Sequence, residues 1–223
     1  MSGEAAVIRV LVVDDDPLAV SGIVGVLAKE SDISVVGTAS GAEEGIASSR
    51  RLMPDVVLMD LRMPGRGGIG AIEELVNGFA PPRVISLTVV ADDATVIAAL
   101  KAGSHGYILK DRAPEDLAGA VRTVVRGHAM LSPQVTSGVI ARSVGGAANA
   151  EVRRAKERLA LLTDRELEIV AHIALGESNQ EIADALYISH STVKSAINTI
   201  MVKLDAVNRT QVAVLAAYAS LER

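Results

Sequence analysis

The chain has 223 residues, of which 49% are hydrophobic and only 2% aromatic, and its formal net charge is −5. It contains no cysteine, which excludes disulfide bonds and thiolate metal sites and suits a protein of the reducing cytoplasm. No basic segment precedes a long apolar run at the N-terminus, so we expect neither a signal peptide nor a membrane span. This length favours two domains of ordinary size over one large domain.

The first part of the chain alternates short apolar runs with amphipathic segments. The runs are rich in β-branched residues and apolar on both faces, a pattern that is typical of buried parallel strands. The five predicted strands are Ile8–Val13, Ile33–Gly37, Asp55–Met59, Arg83–Leu87 and Gly106–Leu109. With the helical patterns that follow them, they predict an α/β domain over residues 1–130, built on a doubly wound five-stranded parallel sheet.

Local signals mark where helices of this domain begin. Asp16 before Pro17 is a typical N-cap followed by proline in the first helical turn. Ser40 and Glu43 have the spacing of a capping box. We therefore predict one helix that begins at Pro17 and another that begins just after Ser40.

The second part of the chain shows no strand pattern. Ser132–Ala150 is small and polar, and we predict a partly helical linker over residues 131–158. Residues 159–223 are then predicted to form a small all-α domain with capping-box sequences at its helix starts. These sequences are Thr163-x-x-Glu166, Ser178-x-x-Glu181 and Asn208-x-x-Gln211.

The predicted strands end in residues suited to phosphate chemistry. The first ends at Asp14-Asp15-Asp16, the third at Asp60, the fourth at Thr88 and the fifth at Lys110. In an open parallel sheet these ends lie at one edge, where ligands bind. Crowded carboxylates repel one another, and hard oxygen ligands with room for water suit Mg²⁺. We therefore expect an ionised Asp60 to attack phosphorus while Thr88 and Lys110 contact the oxygens of the transferred group.

Four spaced motifs resemble those of receiver domains, the flavodoxin-like phosphoacceptor domains of response regulators. They are Val12–Asp15, Asp55–Gly65, Leu87-Thr88 and Gly106–Lys110. The resemblance implies that Asp60 is the phosphoacceptor and that a cognate sensor histidine kinase supplies the phosphoryl group. It implies catalytic roles for Thr88 and Lys110 and a switch pair formed by Thr88 and Tyr107. The Mg²⁺ ligands that it implies are Asp14, Asp15, Asp60 and the backbone carbonyl of Arg62.

Two neighbours of Thr88 bear on the lifetime of the phosphoryl group. Val89 stands where receivers often carry a smaller residue, and Val90 offers no polar group to orient a hydrolytic water. We therefore expect slow autodephosphorylation.

The C-terminal domain carries a second set of motifs. Residues 163–168, 176–183, 188–194 and 208–211 resemble the DNA-binding domain of LuxR-type regulators, and with the receiver motifs they indicate a NarL/FixJ-type response regulator. The second helix of its helix-turn-helix is expected to lie in the major groove. The predicted DNA contacts are Ser178, Asn179, Thr192, Lys194, Ser195, Asn198, Lys203 and Arg209.

These predicted contacts are of two kinds. Lys194 and Asn198 lie off the apolar stripe of the recognition helix, where we expect Lys194 to contact phosphate or guanine and Asn198 to pair with adenine. Ser178 and Asn179 stand at a helix N-terminus, which favours phosphate. Many relatives carry Asn-His where this chain has Ser195-Ala196. Residues 151–223 hold 9 basic and 10 acidic side chains, so the motifs rather than the charge carry this prediction.

Together these features predict a transcription regulator of a two-component system. Phosphorylation of Asp60 is expected to drive homodimerisation and binding to promoter DNA, with RNA polymerase as a further candidate partner and no membrane contact. In the LuxR-type family the last helix, here about Arg209–Ser220, commonly dimerises. We expect no enzyme activity beyond the receiver's own phosphoryl transfer.

Two other functions agree with parts of the sequence. Asp14-x-Asp16 resembles the nucleophile motif of haloacid-dehalogenase-type phosphatases, which also use Mg²⁺, although Leu18 stands where those enzymes carry a hydroxyl. Steady turnover of a phosphate ester would indicate such an enzyme. The other alternative is an interaction protein, with a receiver regulated without phosphate or an output domain that binds protein. Salt-dependent affinity for promoter DNA would argue against it.

Overall fold

The computed structural model describes residues 7–89, 93–110, 113–128 and 148–219. The chain divides into two compact units near residue 126. The predicted linker over residues 131–158 lies outside the described residues as far as residue 147, and so does Val90. The rest of that predicted linker, from residue 148 onward, is helical.

The N-terminal unit is a parallel sheet of five strands in the order β2-β1-β3-β4-β5, flanked by helices. Its strands are β1 Ile8–Val13, β2 Ile33–Ala39, β3 Val56–Asp60, β4 Arg83–Thr88 and β5 Gly106–Leu109. Its helices are α1 Pro17–Leu27, α2 Ala42–Leu52, α3 Gly67–Val76, α4 Asp93–Lys101 and α5 Ala113–Val125. The predicted doubly wound sheet is confirmed, and every strand lies close to its predicted bounds.

The strand order reverses between β1 and β3. β1 pairs with β2 on one side and with β3 on the other, and at its carboxyl end Val13 lies opposite Met59 of β3. In a doubly wound sheet the binding crevice lies at this reversal. The fold therefore brings Asp14 and Asp60, which follow these two residues, to the edge where a ligand binds.

The sheet is apolar on both faces. Val10–Val13 and Val56–Met59 are fully buried. On one face, Leu27 of α1 and Leu117 of α5 join the core that Val10 and Val12 begin. On the opposite face, Gly45 of α2 packs directly against Val13. Burial on both sides explains why these strands read as continuous apolar runs rather than as alternating ones.

The two helix starts predicted for this unit differ in outcome. Asp16 is confirmed as the N-cap of α1, since its side chain accepts a hydrogen bond from the Leu18 amide at 2.9 Å. The capping box of Ser40 with Glu43 is wrong, because α2 begins at Ala42 and is capped by Gly41 without a side-chain hydrogen bond.

Ser40 instead pairs with the next carboxylate along the chain. Its backbone amide and its hydroxyl donate to Glu44 Oε2 at 2.8 and 2.9 Å. Ser40 lies one residue before the N-cap, Gly41. The carboxylate that reaches it is therefore that of Glu44, one position further into the helix than Glu43. These hydrogen bonds also lower the pKa of Glu44.

The C-terminal unit consists of helices, with no strand among its described residues. They are α6 Ala148–Leu159, α7 Asp164–Ala174, α8 Asn179–Leu186, α9 His190–Lys203 and α10 Arg209–Ala219. Among all the described helices of the chain, none is long and apolar enough to cross a membrane. The core of the unit is formed by Leu162, Ile169, Val170, Ile173, Ile182, Ala183, Val193, Ile197, Ile200, Leu204 and Val212.

Capping sets where these helices begin. The boxes of Thr163 with Glu166 and of Ser178 with Glu181 are both confirmed, each with its two reciprocal hydrogen bonds. At α10 the Asn208 side chain accepts from the Gln211 amide at 2.9 Å. The Gln211 side chain accepts from the amide of Val207, one residue earlier than a capping box has it.

Helix α6 belongs to the C-terminal unit and is not an isolated linker helix. α10 packs against both α6 and α7. Val152 and Ala155 of α6 are buried, and the Arg158 guanidinium lies 3.4 Å from the Asp205 carboxylate. The helical bundle therefore includes α6 and begins before residue 159, which is the domain start predicted from the sequence.

Helix α3 begins in close contact with the end of β3. A Cβ atom on Gly68 would lie 2.0 Å from the carbonyl oxygen of Asp60 and 2.8 Å from Cα of Leu61. These neighbours are backbone atoms of a fully buried strand and the residue after it, so they have little room to shift. Only glycine fits at position 68.

We therefore expect Gly68→Ala to lower the free energy of unfolding by about 1–3 kcal/mol, the usual cost of overpacking. Gly119→Ala in α5 is the matched control, because a Cβ there would meet nothing within 4 Å. That substitution is expected to stabilise the protein by roughly 0.5–1 kcal/mol, as alanine does in a helix interior. Urea unfolding of both variants measures the difference. Wild-type stability for Gly68→Ala would contradict the close packing.

Candidate functional site

Three carboxylates meet at the carboxyl edge of the sheet. Asp14 follows β1 and Asp60 ends β3, and both side chains are almost fully buried, at 1% and 3% exposure. Asp15 is exposed beside them. One oxygen from each of the three lies within 4.8 Å of the others, so the cluster could hold a metal ion. The side chains that the sequence assigned to one cation site are therefore brought together.

Lys110 joins this cluster from the end of β5. Its ammonium nitrogen lies 2.7 Å from Asp14 Oδ2 and 3.3 Å from Asp60 Oδ1. Burial alone would lower the pKa of Lys110, but the hydrogen bond with Asp14 and the charge of Asp60 raise it on balance. Lys110 is therefore a charged group that bridges the two buried carboxylates.

Asp60 is held in an environment that opposes its ionisation. Burial raises the pKa of its carboxyl group and the negative charge of Asp14 adds to this, while Lys110 and the backbone amide of Arg62 lower it. The net pKa lies above the ordinary value of 3.8. Three carboxylates face one ammonium here, so a divalent cation would balance the remaining charge with oxygen ligands that suit it.

The loop after Asp60 is fixed from both sides. The Leu61 amide donates to the carbonyl of Leu87 at 3.1 Å, and the Gly68 amide donates to the carbonyl of Leu61 at 3.3 Å. Gly65 and Gly67 take positive φ angles of 77° and 70°, which glycine adopts without strain. These contacts, and the close approach of Gly68, set the backbone position of Asp60.

Sequence reasoning missed Gly68 as a residue that positions the site. The available signal was the group of glycines between Asp60 and the apolar positions of α3. Glycines after a catalytic strand indicate either a tight turn or a close backbone approach. Gly65 and Gly67 serve the first purpose and Gly68 serves the second.

The two residues of the predicted switch pair lie on neighbouring strands and are both buried. Thr88, at the end of β4, is fully buried, and it lies one residue beyond Leu87, the register partner of Asp60. Tyr107 of β5 is 2% exposed. The ring of Tyr107 therefore lies inward, against the protein interior. Val89, which follows Thr88, is 67% exposed.

Helix α9 presents a polar face to solvent. Val193, Ile197 and Ile200 are buried in the helical core. Exposed beside them are four of the side chains predicted to contact DNA, namely Thr192, Lys194, Ser195 and Asn198. The helix is capped by Ser189, whose hydroxyl accepts from the Thr192 amide at 3.1 Å.

Two further predicted DNA contacts are engaged within the protein. The Lys203 ammonium lies 2.7 Å from Glu166 Oε2, where the same carboxylate caps α7. The Arg209 guanidinium donates to Asn179 Oδ1 at 2.8 Å and to the carbonyl of Glu177. Both basic side chains therefore connect helices of the unit, which their sequence context does not reveal.

Two family models match the chain. The model described as the response regulator receiver domain matches residues 10–122. The model described as bacterial regulatory proteins of the luxR family matches residues 160–216. The first covers the sheet and its helices, and the second covers α7 to α10.

Curated proteins and solved structures agree with these matches. The chain is 38% identical over 209 residues to the transcriptional regulatory protein LiaR of Bacillus subtilis, across 94% of this chain and 96% of that protein. The response regulator protein VraR of Staphylococcus aureus matches with the same identity and coverage.

Among solved structures, the response regulator ChrA of a heme-sensing two-component system is 33% identical with a TM-score of 0.54, over 95% of this chain and 96% of that one. The RcsB response regulator of Salmonella typhimurium is 27% identical with a TM-score of 0.56, over 94% of this chain and 97% of that one.

The raised pKa of Asp60 predicts a pH-dependent effect on stability. The folded chain binds the Asp60 proton more tightly than the unfolded chain, so protonation of Asp60 stabilises the folded state. This stabilisation is complete below pH 3.8 and is lost as the pH rises through the pKa of Asp60 in the folded chain. Asp60→Asn, a neutral isostere, should therefore stabilise the metal-free protein at neutral pH. The gain should shrink as the pH falls towards 3.8.

Urea unfolding in the presence of a chelator, over a series of pH values, measures this gain. Asp15→Asn is the control, because Asp15 is an exposed member of the same cluster and its substitution is expected to change stability little. An asparagine variant at position 60 that is less stable than the wild type at neutral pH would overturn the prediction.

Proposed function

Because the chain belongs to the response regulators that join a receiver domain to a LuxR-type DNA-binding domain, we propose that phosphorylation of Asp60 controls its binding to promoter DNA. The observation that carries the proposal is the contact of one partly buried ammonium, Lys110, with both Asp14 and Asp60 at the strand-order reversal. A sensor histidine kinase is the proposed phosphodonor, and the cytoplasm is the proposed location.

The proposed chemistry is an in-line transfer to a carboxylate. An oxygen of Asp60 attacks phosphorus, the bond from phosphorus to the histidine nitrogen of the kinase breaks, and an acyl phosphate forms. Lys110 lies close enough to stabilise the charge on the transferred group. Asp14, Asp15, Asp60 and the backbone carbonyl of Arg62 would hold Mg²⁺, which supplies further neutralisation of the phosphoryl oxygens.

The proposed switch is a shift between two populations of the receiver. The Thr88 hydroxyl contacts the phosphoryl group, and the inward position of Tyr107 is favoured as a result. Thr88 lies on β4 and Tyr107 on the neighbouring β5, so the surface around these two strands changes when the two residues move. Homodimerisation then pairs the output domains.

The proposed output is sequence-specific binding to double-stranded DNA. Paired α9 helices would enter successive major grooves about one helical turn apart. Lys194, Ser195 and Asn198 lie on the exposed face of α9, where Ser195 and Asn198 are suited to base edges and Lys194 to a phosphate or a guanine edge. Ser178 and Asn179 stand at the N-terminus of α8 and are suited to phosphate. RNA polymerase is a further proposed partner.

Phosphorylation is tested by intact mass spectrometry after incubation with Mg²⁺ and acetyl phosphate. We expect one phosphoryl adduct on the wild type and none on Asp60→Ala. Asp55→Asn is the matched control, since Asp55 lies just before the opposite end of the same strand, where it accepts a hydrogen bond from the Arg9 amide. This variant should keep the adduct. If the wild type carries no phosphoryl adduct, even after incubation with a panel of kinases, the role of Asp60 is overturned. Steady turnover of a phosphate ester would indicate an enzyme instead.

DNA binding is tested by the salt dependence of affinity. Lys194→Met removes one exposed cation from α9 and should lower the slope of log affinity against log salt by about 0.9, the contribution of one phosphate contact. Arg154→Met, an exposed basic residue of α6, is the control and should leave the slope unchanged. An unchanged slope for Lys194→Met would show that this side chain makes no phosphate contact.

A further inference from the structure

Arg209 occupies a position between two helices of the C-terminal unit. It is the first residue of α10, and its guanidinium reaches back along the chain to the turn that precedes α8. There it donates to the side-chain oxygen of Asn179 at 2.8 Å and to the carbonyl oxygen of Glu177. The two acceptors flank Ser178, so one planar group holds both sides of a single residue.

Ser178 is the N-cap of α8. The Ser178 hydroxyl accepts from the Glu181 amide at 3.1 Å, and the Glu181 carboxylate accepts from the Ser178 amide at 2.6 Å. The first turn of a helix carries amides without intrahelical partners, and these amides give the helix end its affinity for anions. The direction in which they point depends on how the turn is held.

The geometry of this contact requires arginine. The guanidinium is a rigid fork that donates to two acceptors at fixed positions, whereas a lysine ammonium is a point charge on a flexible stem. Arg209 is half-buried, and burial lowers its pKa while the charges of Glu181 and Glu177 raise it. These two hydrogen bonds go to neutral oxygens, the side-chain oxygen of Asn179 and the carbonyl oxygen of Glu177.

We infer that Arg209 is a positioning residue for DNA binding, which orients the Glu177–Asn179 turn and the amide end of α8 towards phosphate and does not itself contact the DNA. This inference rests on the proposed DNA-binding function. It assigns Arg209 a different role from the direct DNA contact that the sequence predicts. Asn179 takes part in the same arrangement, because its oxygen is engaged by Arg209 and its amide group is thereby oriented away from the guanidinium.

The first part of the test uses the free protein. Hydrogen exchange of the amides of residues 178–181 is measured for the wild type and for Arg209→Lys, at a temperature where circular dichroism shows both to be folded. We expect faster exchange at these amides in the variant, with unchanged exchange in α9. Wild-type exchange at these amides would overturn the inference without reference to DNA.

The second part measures affinity for a mixed-sequence DNA duplex over a series of salt concentrations. Arg209→Lys and Arg209→Gln should both bind on the order of tenfold more weakly than the wild type, as for one lost charge-assisted hydrogen bond. Both should keep the wild-type salt slope. Lys194→Met is the comparison, because its slope should fall by about 0.9.

Two results of the affinity measurement would overturn the inference. Wild-type affinity for Arg209→Lys would mean that a point charge suffices, as it does for a direct phosphate contact. A slope for Arg209→Gln that falls as far as that of Lys194→Met would mean that Arg209 itself neutralises a phosphate. A wild type that shows no salt-dependent binding would instead overturn the proposed function, whereas the hydrogen-exchange result would stand apart from it.

Discussion

The carboxyl edge of the sheet concentrates negative charge that the fold does not neutralise by itself. Asp14 and Asp60 are almost fully buried, and Asp15 adds a third carboxylate. In the part of the chain that the structure describes, Lys110 is the cationic side chain that contacts both buried carboxylates. Three carboxylates against one ammonium leave two negative charges in excess, and burial penalises the charges of Asp14 and Asp60. A bound divalent cation or a retained proton relieves this conflict. The edge therefore stabilises the folded state only when something binds there.

The rest of the N-terminal unit holds the carboxylates in this unfavourable arrangement. Val10–Val13 and Val56–Met59 are fully buried on both faces of the sheet, so the strands that carry Asp14 and Asp60 cannot separate without exposing the core. Gly68 packs against the backbone of Asp60 and prevents the end of β3 from relaxing. The site is thus preorganised, because apolar packing elsewhere offsets its electrostatic cost.

The sequence predicted well what depends on local pattern. The apolar runs identify the strands, and the order of strand ends follows from the doubly wound topology, so Asp14, Asp60 and Lys110 could be assigned to one site before any coordinates. The error at Ser40 is also local. Two adjacent glutamates, Glu43 and Glu44, follow Ser40 at spacings of three and four residues, and the start of α2 at Ala42 rather than at Gly41 favours Glu44.

What the sequence could not predict are contacts between residues far apart along the chain. Gly68 is set by its distance to the carbonyl of Asp60, which depends on how α3 docks. Lys203 and Arg209 match a DNA-binding motif, yet their partners lie 37 and 30 residues away, in α7 and in the first turn of α8. A basic residue in such a motif is equally compatible with a phosphate contact and with an internal one, and only the packing of the helices distinguishes the two.

This internal use of basic residues bears on how the receiver controls the output domain. Arg158, Arg165, Lys203 and Arg209 donate to oxygens within the C-terminal unit. Of the two lysines in α9, Lys203 is paired with Glu166 and Lys194 is exposed. With few phosphate contacts, one output domain is expected to bind DNA weakly. Joining two domains in one dimer raises the overall affinity by roughly 10²–10⁴-fold without any new contact. A domain that already bound DNA tightly would gain nothing useful from pairing. The scarcity of available charge on this domain is therefore what allows proposed dimerisation of the receiver to act as an effective control of DNA binding.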